Sequence, residues 1–152
     1  MTAQADIGEA PRFEALDLLL AELAPARPTR IADVGANPLT PPPYRPPLDR
    51  GACHLYGFEP QPDALAALRA GASPQESYFP HAVGRGGPAE LKLCNDSGLS
   101  SLYEPDPVAP IRFLGRSMHN IEVHARHRID TVKLDNIAEI EGFDLLKIDV
   151  QG

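Results

Sequence analysis

Ten consecutive residues, Pro38-Leu39-Thr40-Pro41-Pro42-Pro43-Tyr44-Arg45-Pro46-Pro47, hold six prolines, and no other feature limits the possible folds of this chain so sharply. Proline has no amide hydrogen, so the stretch cannot supply the donors of a regular helix or a central strand. A fixed, partly polyproline-like loop is expected there. The core must then be built from shorter segments on either side. A length of 152 residues suits one domain around one hydrophobic core. With 43% hydrophobic and 23% charged residues, a disordered chain, a coiled coil and a collagen-like repeat are excluded.

The flanking segments read as alternating helices and strands. Phe13, Leu16, Leu20 and Leu23 recur at helical spacing, which predicts an amphipathic helix from about Pro11 to Leu23, ended by Pro25 and Pro28. Residues 30–34 read as a short buried strand left through the turn Gly35-Ala36-Asn37, and residues 54–59 as a second strand. Pro62 opens a helix over residues 63–70, closed by Gly71. Ser77-Tyr78-Phe79 leads into His81-Ala82-Val83 as a third strand, halted by Gly84-Arg85-Gly86-Gly87-Pro88. Residues 89–94 alternate with period two, as a half-exposed antiparallel strand does, and residues 121–126 and 129–134 extend the same ribbon. Residues 95–115 read as a loop or short helical turns, and Asp135 as the cap of a short helix through Ile140. Residues 143–150 read as a further buried strand. The class is α/β, with parallel strands, helices and a β-ribbon insertion.

Charge narrows the partners. Fourteen basic against 21 acidic residues give a formal net charge of -7, which repels a polyanion, so no sequence-independent nucleic-acid binding is expected. Cys53 and Cys94 form no CxxC or Cys/His spacing, which leaves no disulfide framework or zinc motif and makes the cytoplasm the default location. Residues 1–11 lack a basic leader, and Leu18-Leu19-Leu20-Ala21 falls far short of the ~20 apolar residues that span a bilayer. A soluble protein without membrane attachment is expected. His119, His124 and His127 with Glu122 read as an exposed ribbon, not a metal site, because their spacing does not place them on one strand face.

In an open parallel sheet, ligands bind outside the carboxyl ends of the strands. Those ends carry Asp33 with Gly35, then Glu59, then residues 81–84, then Asp149. A glycine after the first strand lets backbone approach a ligand closely, and an acid some 20 residues on can accept both hydrogen bonds of a ribose diol. The same residues also suit plainer work, with the acids capping helices and Gly35 serving a tight turn. No G-x-G-x-x-G is present, since Gly35 is followed by Ala36, Asn37, Pro38 and Leu39. There is thus no glycine cradle for a pyrophosphate.

Ile31-Ala32-Asp33-Val34-Gly35-Ala36-Asn37, Gly57-Phe58-Glu59-Pro60, His81-Ala82-Val83-Gly84, Gly98-Leu99-Ser100-Ser101-Leu102, Val132-Lys133-Leu134-Asp135 and Leu146-Lys147-Ile148-Asp149-Val150-Gln151-Gly152 stand in that order. This ordered set resembles the motifs of the FkbM-type S-adenosylmethionine-dependent methyltransferases, in a proline-rich branch. The resemblance implies a Rossmann-like methyltransferase sheet. It implies that Asp33, Gly35, Ala36 and Asn37 form the turn that holds the methionine portion of S-adenosylmethionine, and that Glu59 binds the ribose hydroxyls. Phe58 and Pro60 would wall the adenosine, Ala82 and Val83 would lie beside the adenine, and Asp149 would stand near the transferred methyl or the acceptor as the catalytic general base. Ser100 and Ser101 border the cofactor or acceptor, or form a solvated turn. His81 and Lys147 are read as structural. Tyr44 and Arg45 in the proline loop are read first as loop structure and second as groups that close over a ligand.

The activity implied is methyl transfer to an oxygen, with a sugar or secondary-metabolite hydroxyl on a small-molecule or glycan acceptor. The resemblance covers residues 30–152, after a helix and lead-in over residues 1–29. The family's sheet continues past its fourth core strand, so the chain is expected to be an amino-terminal portion, truncated after that strand. The unpaired strand edge would invite a homodimer. Two other readings carry different expectations: a non-catalytic nucleotide- or sugar-binding module, and an interaction protein that presents the proline loop to an aromatic groove.

Overall fold

The computed structural model describes residues 10–37, 41–106 and 117–150. Residues 1–9, residues 38–40 of the proline segment, residues 107–116 at the end of the expected polar loop and the terminal Gln151-Gly152 lie outside the described residues. The chain runs α1 (Ala10–Leu23), β1 (Thr29–Val34), α2 (Arg45–Asp49), β2 (Cys53–Phe58), α3 (Pro62–Ala70), β3 (Glu76–Phe79), β4 (Ala82–Val83), β5 (Gly87–Cys94), α4 (Met118–Ile121), β6 (Val123–Val132) and β7 (Leu145–Ile148). Short 3-10 turns cover Ser97–Leu99 and Leu134–Asn136.

Four strands form a parallel sheet in the order β3-β2-β1-β7, and the other three form a second sheet, β4-β6-β5. This is the α/β, Rossmann-like arrangement with a β-ribbon that the sequence predicts. Side chains alternate across β1, so Ile31 joins one apolar layer while Ala32 and Val34 join the other. The first layer packs Ile31 and Leu55 against Leu65 of α3 and against Tyr44 and Leu48. The second sets Phe58 and Val34 against Ile137, with Phe79, Val83, Val132 and Phe143 around them. That second layer joins the two sheets.

Four expectations need correction. The proline segment is not loop throughout, because Pro46 and Pro47 occupy the first turn of α2, where a missing amide hydrogen costs nothing. The expected third strand is two strands in different sheets, β3 and β4, split at Pro80, which cannot donate to a ladder. Residues 135–140 make only the 3-10 turn at Leu134–Asn136 before Ile137 turns into the core. The last strand is not buried: Leu145, Leu146 and Ile148 are 49%, 40% and 62% exposed, because β7 is an edge strand bonded to β1 alone among the described strands. In α1, likewise, Leu18, Leu19 and Leu23 are exposed, while Leu16 and Leu20, four residues apart, are half-buried. Among the described residues, no helix is long and apolar enough to cross a membrane.

The proline segment is tied to the sheet through Glu76, whose side chain is 2% exposed. Glu76 Oε1 accepts from Arg45 Nη2 at 2.8 Å and from the Tyr78 hydroxyl at 2.9 Å, and Oε2 accepts from the Ser73 amide at 2.9 Å. Burial pushes this carboxyl up, but Arg45, Ser73 and Tyr78 outweigh it and hold the pKa at about 2. A carboxyl that titrates at about 4.3 when unfolded and lower when folded adds stability above ~4.3, and that stability is lost as the pH falls through its folded value. Glu76→Gln is therefore expected to lower stability by about 2 kcal/mol at neutral pH and by clearly less at pH ~3. Urea unfolding at the two pH values checks this, and an equal loss at both would mean that the charge is not what matters.

Candidate functional site

The parallel register brings the strand ends to one level. Val34 stands opposite both Phe58 and Ile148, and Phe58 opposite Phe79. The next amides continue the ladder, Asp149 N donating to Val34 O and Glu59 N to Phe79 O, each at 3.0 Å. Outside these ends lies a cavity of about 250 Å³. Asp33, Gly35, Ala36, Asn37, Phe58, Glu59, Pro60, Ala82, Val83 and Asp149 all line it, so the fold brings together every residue that the sequence nominates. The amides of Gly35 and Ala36 both donate to Phe58 O at 3.1 Å. That turn therefore holds β1 to β2 and offers no pair of amides to a diphosphate.

Glu59 is 3% exposed and faces the cavity from the end of β2. Its Oε1 accepts from the Gln61 amide at 2.8 Å. Burial raises the pKa of its carboxyl, and the backbone amides of Gln61 and Asn37 oppose that shift without cancelling it. A carboxylate is a pure acceptor, so a buried one open to a cavity selects a ligand that donates hydrogen bonds. Phe58, Ala82 and Val83 beside it supply small or flat apolar walls. The combination suits a sugar diol attached to an apolar ring. Among the described residues, Lys147 is the one lysine or arginine on the wall, which does not suit a polyphosphate.

Asp33, the acid of β1, is engaged by protein groups. Asp33, 1% exposed, receives the Tyr44 hydroxyl on Oδ2 and Lys147 Nζ on Oδ1, the latter at 3.0 Å. Burial first, and then the bond to Asp33, drives the Tyr44 pKa well above the ordinary tyrosine range, so its hydroxyl stays a donor. Lys147 Nζ also lies 3.6 Å from Asp149 Oδ2. On the sequence alone Lys147 is a structural lysine in an apolar strand; its partner is not visible there because the two lie 114 positions apart, and a cation inside an apolar run is the one available signal.

The remaining walls come from the proline segment and the second sheet. Pro41, Pro42, Pro43 and Tyr44 close one side, and Leu91 and Ile129 of the ribbon close another. Ser100 and Ser101 reach the cavity because their loop folds back on β5: Ser101 exchanges backbone bonds with Lys92, N to O at 2.8 Å and 3.0 Å. Buried Lys92 secures the return by donating to Glu90 O at 3.1 Å and Leu102 O at 2.8 Å. His81 also lines the cavity, with its ring stacked on Phe79 at 6.2 Å and Nε2 3.4 Å from Glu139.

Comparison with known proteins adds one match. The family model of the Methyltransferase FkbM domain matches residues 33–152. No curated protein and no solved structure matches the chain.

Proposed function

Because the chain belongs to the FkbM methyltransferase family, we propose that it binds S-adenosylmethionine at the strand ends and passes a methyl group to a hydroxyl oxygen of a small-molecule or glycan acceptor. The observation that carries this reading is Glu59, a buried carboxylate open to a cavity whose neighbouring walls, Phe58, Ala82 and Val83, are apolar. When bound, S-adenosylmethionine supplies a methyl group on a positively charged sulfur. The residues of this chain then do the rest. Glu59 accepts hydrogen bonds from the ribose hydroxyls, and Phe58, Ala82 and Val83 flank the adenine. The turn at Gly35, Ala36 and Asn37 bounds the methionine end. Asp149, whose side chain is 74% exposed, stands at the mouth, where it can take the proton of an acceptor hydroxyl. Holding donor and acceptor in line is the larger contribution, since orientation removes much of the entropic barrier.

Titration calorimetry with S-adenosylhomocysteine tests the reading. Saturable binding is expected, with Glu59→Gln weakening it by about tenfold or more, the worth of hydrogen bonds to a charged acceptor. Adenosine triphosphate is expected to give no heat. Because the Glu59 pKa is raised, affinity should begin to fall at a pH above the ~4.3 of an ordinary glutamate. Equal binding by wild type and Glu59→Gln would remove the ribose role, and no binding by a folded wild type would remove the cofactor.

A further inference from the structure

The geometry points to Lys147 as a positioning residue that holds Asp149 in place at the mouth of the cavity, with Asp33 and Tyr44 fixing Lys147 in turn. In the β1–β7 register Asp33 stands opposite Lys147, and Lys147 and Asp149 are two apart along the strand, which puts them on one face. The bridge has three links: the Tyr44 hydroxyl to Asp33 Oδ2, Asp33 Oδ1 to Lys147 Nζ at 3.0 Å, and Lys147 Nζ to Asp149 Oδ2 at 3.6 Å. Exposure rises along it, from 2% for the Asp33 side chain through 24% for Lys147 to 74% for Asp149. A lysine head left to itself samples many rotamers, and ordering it has an entropic cost. Here a buried carboxylate, itself held by a tyrosine from the proline segment, fixes the head at one point.

A buried ion pair is weak evidence for stability, since apolar residues of equal volume often serve as well. What an apolar pair could not do is aim a cation at Asp149. The ammonium holds the exposed carboxylate toward the cavity, and it offsets part of its charge. The last effect bears on ligands and rests on the cofactor reading above. S-adenosylmethionine is cationic at sulfur and S-adenosylhomocysteine is neutral there, so the charge balance at Asp149 sets their relative affinity.

Two measurements test the inference. The first needs no ligand. The side-chain ammonium of Lys147 should give an observable nitrogen-15 NMR signal that shifts in Asp149→Asn and broadens in Asp33→Asn. A signal indifferent to Asp149→Asn would overturn the inference, because Lys147 would then serve Asp33 alone. The second compares both ligands by calorimetry. Lys147→Met should raise the affinity ratio of S-adenosylmethionine to S-adenosylhomocysteine severalfold, because it removes a positive charge from beside Asp149. Lys147→Arg, which keeps the cation, should restore the ratio and also serves if the methionine variant fails to fold. An unchanged ratio in Lys147→Met would overturn the positioning role. If neither ligand binds while the ammonium signal responds as expected, the pairing stands and the cofactor reading falls.

Discussion

Gly35→Ala is expected to cost about 3–4 kcal/mol of stability, whereas Gly51→Ala, with the same kind of backbone, should cost about 1 kcal/mol. Both glycines have a left-handed φ, +83° at Gly35 and +70° at Gly51, so a side chain at either pays the same conformational strain. Their surroundings differ. A Cβ at Gly51 would meet nothing within 4 Å, while one at Gly35 would sit 2.5 Å from the Asp149 carbonyl oxygen and 2.7 Å from Val150 Cγ1. The valine can turn its side chain away, but the carbonyl contact cannot be relieved unless the end of β7 moves off the turn, which loosens the bond from Asp149 N to Val34 O. β1 and β7 are the strands that place Asp33, Lys147 and Asp149, so the damage should reach the site as well. Urea midpoints of the two variants isolate the close approach, because the shared strain cancels between them. Equal losses would mean that β7 is not held against the turn.

Leu55→Ala is expected to lower stability by about 3–4 kcal/mol, and Leu145→Ala by less than about 1 kcal/mol. Both are leucines within apolar strand segments. Leu55 lies in β2, bonded on both edges, at 0% exposure against Ile31, Leu65 and Tyr78. Its truncation opens a cavity in a layer closed by α3 and the proline segment, and such sites collapse poorly. Leu145 lies on the outer strand at 49% exposure, where water already replaces part of the lost contact. Chemical denaturation of the two single variants checks the contrast. Comparable losses would mean that β7 is packed much as β2 is.

Leu55 and Leu145 flank Ile31 from opposite sides of β1, in strands that look alike in the sequence. Residues 54–59 and 143–150 carry similar apolar density, and each reads as a strand, the latter as a buried one. Alternation tells how a strand faces a sheet, but not whether a neighbour lies beyond it, so the edge position of β7 could not be read from its own residues. Likewise, the run from Ser77 to Val83 read as one strand although Pro80 stood within it. The proline divides the two sheets because the chain after it can pair with β6 and not with β2. At the site, Glu59 and the Gly35 turn were legible because their chemistry is local: an acid and a glycine at strand ends. Lys147 was not legible, because its meaning lies in residues far away in sequence.

The sequence by itself determined the grammar of this protein: strands ending in Asp33, Glu59 and Asp149, a helix begun by Pro62, and a family membership that residues 33–152 bear out. Those properties come from side-chain period, from proline's missing donor and from glycine's freedom at positive φ, each of which acts within a few residues. Only the tertiary structure decided that Tyr44 and Lys147 converge on one buried carboxylate. It also decided that a ribbon and a proline segment wall the same cavity. Each of these depends on strand order and register, and on which groups lose their water together. A buried charge or an open edge acquires its energy only when the distant partner is present or missing.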